Sequence, residues 1–166
     1  MIDFMVIALP RSRTTWLANF LTTDKTFCYH DPLAEMSSYK EILELKTDRL
    51  TGIADTGIGY FDLSLFDCPK VIIERDLNAV NAEMSELLGI DIDMSDLNAR
   101  IASIDGLHIQ FDEINERLAE IWTHCTNLPY DRLRGDYLKH MNIQVKDLPI
   151  DEARLQSLRS EIKCLN

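Results

Sequence analysis

Long apolar runs are missing from this 166-residue chain, and so is any excess of positive charge. No stretch reaches the ~20 apolar residues that a membrane-crossing helix requires, and the N-terminal apolar run has Asp3 before it. A basic leader with a small-residue cleavage site is also absent, so the chain is expected to be cytoplasmic, with no membrane partner. Lysine and arginine number 17 against 28 acidic residues, a formal net charge of −11. That balance excludes a broad nucleic-acid surface. Any anionic ligand has to be held by local arginines, without attraction from a distance. The four cysteines, Cys28, Cys68, Cys125 and Cys164, form no C-x-x-C pair and read as reduced packing residues. A zinc set of Cys28, His30, His124 and Cys125 can be drawn, but its spacing matches no common module, and no metal is expected. Asp91-Ile92-Asp93 lacks the glycine and the distal glutamate of a calcium loop. Repeats, low-complexity tracts and interdomain linkers are lacking too. With 46% hydrophobic residues, residues 1–166 are expected to fold as one domain.

What is present is concentrated at the start. Phe4 to Ala8 are five apolar residues in a row, the pattern of a strand buried on both faces. A short loop, Pro10-Arg11-Ser12-Arg13, leads into Thr14-Thr15 and an amphipathic stripe at Trp16, Leu17, Phe20 and Leu21. Strand, tight loop and helix is a geometry that builds an anion site, because the first helical N–H groups have no intrahelical acceptor. Arg11, Arg13, Ser12, Thr14 and Thr15 add donors suited to phosphate or sulfate oxygens. The competing account of the same residues is a scaffold turn with a threonine cap and two surface arginines. Trp16 reads as core.

Further strands are expected at Thr26–His30, Leu50–Asp55, Pro69–Asp76 and His108–Phe111. Between and after them, helices are expected over about Leu33–Lys46, as a short piece within Tyr60–Phe66, and over Asn78–Leu88 closed by Gly89. More follow from a Ser95 cap, from an Asp112 cap to near Asn127, after Pro129-Tyr130-Asp131, and over Asp151–Cys164; Met141–Val145 is expected to be extended. Strands alternating with helices imply an α/β fold with a mostly parallel central sheet of about five strands flanked by helices in three layers. Ligands of such sheets lie beyond the carboxyl ends of the strands. Arg11, His30, Asp31, Asp55 and Arg75 stand at four successive strand ends. His108, His124 and His140 have no partner that sequence identifies.

The nucleotide loop G-x-x-x-x-G-K-[ST] aligns with Ala8 to Thr15, where Ala8, Arg13 and Thr14 stand in place of its two glycines and its lysine. An ordinary ATP or GTP hydrolase does not fit. Pro10-Arg11-Ser12-Arg13-Thr14-Thr15-Trp16-Leu17 resembles instead the 5′-phosphosulfate loop of sulfotransferases, Pro-[Lys/Arg]-Ser-Gly-Thr-Thr-[Trp/Leu]-Leu, with Arg13 for the glycine. The small P-loop proteins of this kind in bacteriophages and bacteria look most similar. Arg75-Asp76-Leu77-Asn78-Ala79-Val80 resembles the family's 3′-phosphate motif, with Leu77 for a proline and Glu83 where a serine stands. Ala54-Asp55-Thr56-Gly57 and Asn142-Ile143-Gln144-Val145 share in the likeness.

The resemblance implies a three-layer P-loop fold and sulfuryl transfer from 3′-phosphoadenosine 5′-phosphosulfate to a small-molecule acceptor, without a metal. Arg11, Ser12, Arg13, Thr14, Thr15 and Arg75 would hold the nucleotide, with Arg11 neutralising the leaving phosphate. His30 is the first candidate for the general base, followed by Asp31, Asp55 and Glu35, because imidazole titrates near neutrality. A nucleotide or metabolite kinase and a non-catalytic nucleotide- or anion-binding module are the alternatives. The acceptor and the oligomeric state are left open by the sequence.

Overall fold

In a computed structural model, the structure of the protein describes residues 2–143. At their centre lies a five-stranded sheet of β1 (Phe4–Ala8), β2 (Thr26–His30), β3 (Leu50–Asp55), β4 (Lys70–Glu74) and β5 (Leu107–Gln110). All its pairings are parallel, in the order β2-β3-β1-β4-β5. Five α-helices accompany it among the described residues: α1 (Thr14–Phe20), α2 (Leu77–Leu88), α3 (Ser95–Ala102), α4 (Leu118–Thr126) and α5 (Arg132–Lys139).

Strand periodicity divides the core in two. Phe4, Val6 and Ala8 of β1 face one side, where they pack with Trp16, Leu17 and Phe20 of α1 and Leu118, Ile121 and Trp122 of α4. Met5 and Ile7 face the other, against Val80 and Met84 of α2, Leu97 and Ile101 of α3 and a set of short turns. Both faces of the sheet are therefore covered. That is why β1 carries an unbroken apolar run where a half-exposed strand would alternate. Gly52 of β3 is the register partner of Phe4. A Cβ there would lie 2.0 Å from the Phe4 ring, so only glycine leaves room for that side chain.

Several expected elements take another form. The helix expected over Leu33–Lys46 is two 3₁₀ turns, Pro32–Glu35 and Tyr39–Glu44. Met36 between them is extended, and Ser38 with Glu41 forms a capping box that restarts the chain. The helical piece expected within Tyr60–Phe66 is likewise a pair of short turns, Ile58–Tyr60 and Leu63–Leu65. Asp112 lies inside a 3₁₀ turn, Phe111–Glu113, and α4 begins only at Leu118. Ser95 is the first helical residue of α3 and donates its N–H to Asp93 Oδ1 at 2.9 Å. Gly89 closes α2 at φ 67°, as its position suggests. The helix expected over Asp151–Cys164 lies outside the described residues, as do Gln144 and Val145 of the extended stretch. No helix among the described residues is long and apolar enough to cross a membrane.

The strand order positions the site. From central β1 the chain crosses to β2 at one edge, returns to β3, then passes over β1 to β4 and β5. Leaving their carboxyl ends, β1 and β4 therefore send the chain in opposite directions, which opens a crevice between them.

Candidate functional site

The loop after β1 is shaped by two arginines in the left-handed region, Arg11 at φ 63° and Arg13 at φ 64°, flanking Ser12. A side chain in that conformation costs about 1–2 kcal/mol. Cation–ring contact offsets part of this at Arg13, whose guanidinium lies 4.3 Å from the Trp16 ring centroid and donates to Asn115 Oδ1 at 3.0 Å. Trp16 is in turn fixed by stacking on Phe20 and by its Nε1 donating to the Leu138 carbonyl at 3.1 Å. Left-handed residues beside right-handed ones turn successive N–H groups toward one concavity. No described residue accepts from the N–H groups of Arg13, Thr14 or Thr15. Ser12 is fully buried, with its hydroxyl toward the Pro10 carbonyl.

Arg75 enters the same crevice from the end of β4. Its guanidinium lies 4.4 Å from the Phe111 ring centroid, and its Nη1 donates to the Arg11 carbonyl, tying the two strand ends together. Glu83, two turns into α2, reaches back to these arginines. Its carboxylate accepts from both terminal nitrogens of Arg75, at 3.2 Å from Nη1 and more closely from Nη2, and lies 3.5 Å from Arg11 Nε. The Arg75 hydrogen bonds hold Glu83 below the usual carboxylate range; partial burial opposes this, and the charges of Arg75 and Arg11 add to it.

The other side of the loop meets β2. His30 Nε2 lies 3.3 Å from Thr14 Oγ1, 3.0 Å from Thr15 Oγ1 and 3.1 Å from Asp31 Oδ2. Burial lowers its pKa, with the Asp55 charge acting in the opposite sense, so the neutral ring is favoured near pH 7. Where Nε2–H donates to Asp31, the Nδ1 lone pair is left to accept a proton. Asp31 itself takes the left-handed region (φ 42°), and its Oδ1 accepts from the N–H and the hydroxyl of Thr56 at 2.9 and 3.2 Å.

Asp55 lies deeper, 1% exposed. Its Oδ1 accepts from Gly57 N–H at 2.7 Å and Ile58 N–H at 2.8 Å, and its Oδ2 from Leu33 N–H at 3.3 Å. Burial and the neighbouring Asp31 charge push its pKa up to about 7, although these three donors pull the other way. Because the unfolded chain ionises this group near 4, the native state holds an extra proton between those values, and stability falls as pH rises through that window. Asp55→Asn is expected to flatten the decline. Thermal midpoints of both proteins from pH 5 to 8 test this, and parallel curves would contradict it.

The structure thus brings Arg11 and Arg75 together at the ends of β1 and β4 and sets His30 against Thr14 and Thr15. Arg13 is spent on Trp16 and Asn115, and Asp55 organises the loops underneath. Sequence reasoning missed Phe111 and Asn115, and named Thr56 only as part of the Ala54–Gly57 turn. Only Glu83 gave a signal, as a carboxylate where the family motif has a serine.

No family model matches the chain, and no curated protein matches it in sequence. Among solved structures the chain is similar to mouse sulfotransferase SULT7A1 complexed with PAP, at 12% identity and a TM-score of 0.53. The match covers 82% of this chain, which spans 62% of the length of that one. At such identity the likeness is one of architecture: a five-stranded parallel sheet flanked by helices, in a sulfotransferase-like fold.

Proposed function

We propose that the protein is a sulfuryl transferase that takes its donor, 3′-phosphoadenosine 5′-phosphosulfate, in the crevice between β1 and β4. The observation that carries this reading is the Arg11–Arg13 loop, whose two left-handed residues and unaccepted N–H groups, with Arg75 tied to the Arg11 carbonyl, suit an anion. The likeness to a sulfotransferase fold adds to it. The Thr14 and Thr15 hydroxyls at the start of α1 suit the donor's 5′-phosphoryl oxygens, so the residues present fit that end of the nucleotide.

When bound, the donor supplies an activated sulfuryl group on a 5′-phosphate leaving group. An acceptor hydroxyl or amine forms the new bond to sulfur as the bond from sulfur to the 5′-phosphate oxygen breaks, and the electron pair leaves on that oxygen. Arg11 and the loop N–H groups stabilise the departing charge. The acceptor's proton passes to His30 Nδ1, and Asp31 holds the ring in the required tautomer. Asp55, consumed by three backbone donors, has the supporting role of shaping the loops.

Calorimetric titration with 3′-phosphoadenosine 5′-phosphate, beside ATP with magnesium, tests the proposal. Binding of the bisphosphate in preference to ATP is expected, weakened about tenfold or more in Arg11→Ala by loss of a charge-assisted contact. Preference for ATP with magnesium would replace this reading with a kinase. The clamp of Glu83 on both arginines favours one other account, a non-catalytic anion-binding module. In that case nucleotide would bind but no acceptor would be sulfated.

A further inference from the structure

The most heavily used charge in the crevice is one that the transfer reaction does not need. Glu83 accepts from two nitrogens of Arg75 and lies against Arg11, so the three side chains together keep only one net positive charge. Arg75 has 13% of its side chain exposed, and its remaining contacts go to the Arg11 carbonyl and the Phe111 ring. It has little left to offer a second anionic group. Glu83 keeps 40% of its side chain exposed, so its carboxylate is still open to a hydrogen-bond donor from outside the cluster. An ionised carboxylate only accepts hydrogen bonds, which suits a ribose hydroxyl and repels a phosphate. The same choice separates nucleotide sites elsewhere, where an acidic residue takes a free ribose hydroxyl and an arginine accommodates a ribose phosphate.

We infer that Glu83 is a tethered counter-anion filling the Arg11–Arg75 seat, and that the crevice takes a nucleotide by its 5′-phosphoryl end with the ribose 3′-hydroxyl free. This rests on the reading of the crevice as a nucleotide site and narrows its donor. A 3′-phosphate contributes nothing to binding, and adenosine 5′-phosphosulfate serves as donor at least as well as the 3′-phosphorylated form. Glu83 is then the residue that sets donor specificity.

The test compares adenosine 5′-monophosphate with 3′-phosphoadenosine 5′-phosphate on the full chain by calorimetry, for wild type, Glu83→Gln and Glu86→Gln. Glu86 lies one turn further along α2, exposed, and removes the same formal charge away from the arginines. Wild type and Glu86→Gln are expected to bind the two nucleotides within about threefold of each other. Glu83→Gln is expected to bind the bisphosphate about tenfold more tightly while leaving the monophosphate within about threefold, as a released charge pair implies. A wild-type protein that prefers the bisphosphate tenfold or more overturns the inference and leaves the nucleotide reading standing. An equal gain in Glu83→Gln and Glu86→Gln overturns it as well, since the overall field would then be responsible. Failure of both nucleotides to bind any of the three proteins overturns the nucleotide reading and this inference together.

Discussion

Replacing Arg75 with alanine is expected to weaken binding of 3′-phosphoadenosine 5′-phosphate about a hundredfold, or about 3 kcal/mol. Two losses combine in that figure. The Arg11 carbonyl loses its donor, so the left-handed turn that aims the loop N–H groups is no longer tied to β4. Glu83 loses its bidentate partner and is left with Arg11 alone, a carboxylate facing an incoming anion. Removing one member of a close charge pair costs more than the pair contributed, because the other member is stranded. The double variant Arg75→Ala/Glu83→Gln is therefore expected to regain part of the affinity, and calorimetry on the three proteins reads the coupling directly. A double variant as weak as Arg75→Ala would show that the loss comes from the loop alone.

Trp16→Ala is expected to lower unfolding stability by about 3–5 kcal/mol, the range for deleting a large buried aromatic side chain. Trp16 is 2% exposed and stacks on Phe20 with ring centroids 5.4 Å apart. Its ring also lies beneath the Arg13 guanidinium. The variant empties the α1 side of the core, leaves the Leu138 carbonyl without its indole donor, and removes the ring that supports Arg13 in its left-handed conformation. Urea unfolding of wild type, Trp16→Ala and Trp16→Phe measures the effect. The phenylalanine variant should retain most of the stability, since it keeps an aromatic ring in the core and loses the indole N–H. A fall in midpoint with an unchanged slope would place the change in stability and not in the compactness of the unfolded chain.

The strands were legible because their signal is local. Phe4–Ala8, Thr26–His30 and Leu50–Asp55 have the bounds that burial and breakers suggest. The region after β2 was not legible. Leu33, Met36, Tyr39 and Ile42 have near-helical spacing, but they fill the core from two 3₁₀ turns. Pro32 and the Ser38 capping box decide the local geometry there, and apolar spacing alone does not report it. Arg11, Arg75 and His30 could be picked out because polar residues at the ends of parallel strands converge. The stack of Arg75 on Phe111 and the bond from Arg13 to Asn115 could not, since those partners are 36 or more residues apart and nothing in the sequence pairs them. Glu83 looked like damage to a motif. Its geometry shows a specific partner for two arginines.

The carboxylates behind the crevice also bear on how its walls are held. Asp31, after β2, holds the N–H of Thr56 after β3, while Asp55, at the end of β3, holds the N–H of Leu33 after β2. Each loop is thus fastened by a side chain from the other, and the fastenings form a closed circuit. His30 stands at the end of β2 beside Asp31, so the cross-ties that join the two loops also fix its place against the β1 loop.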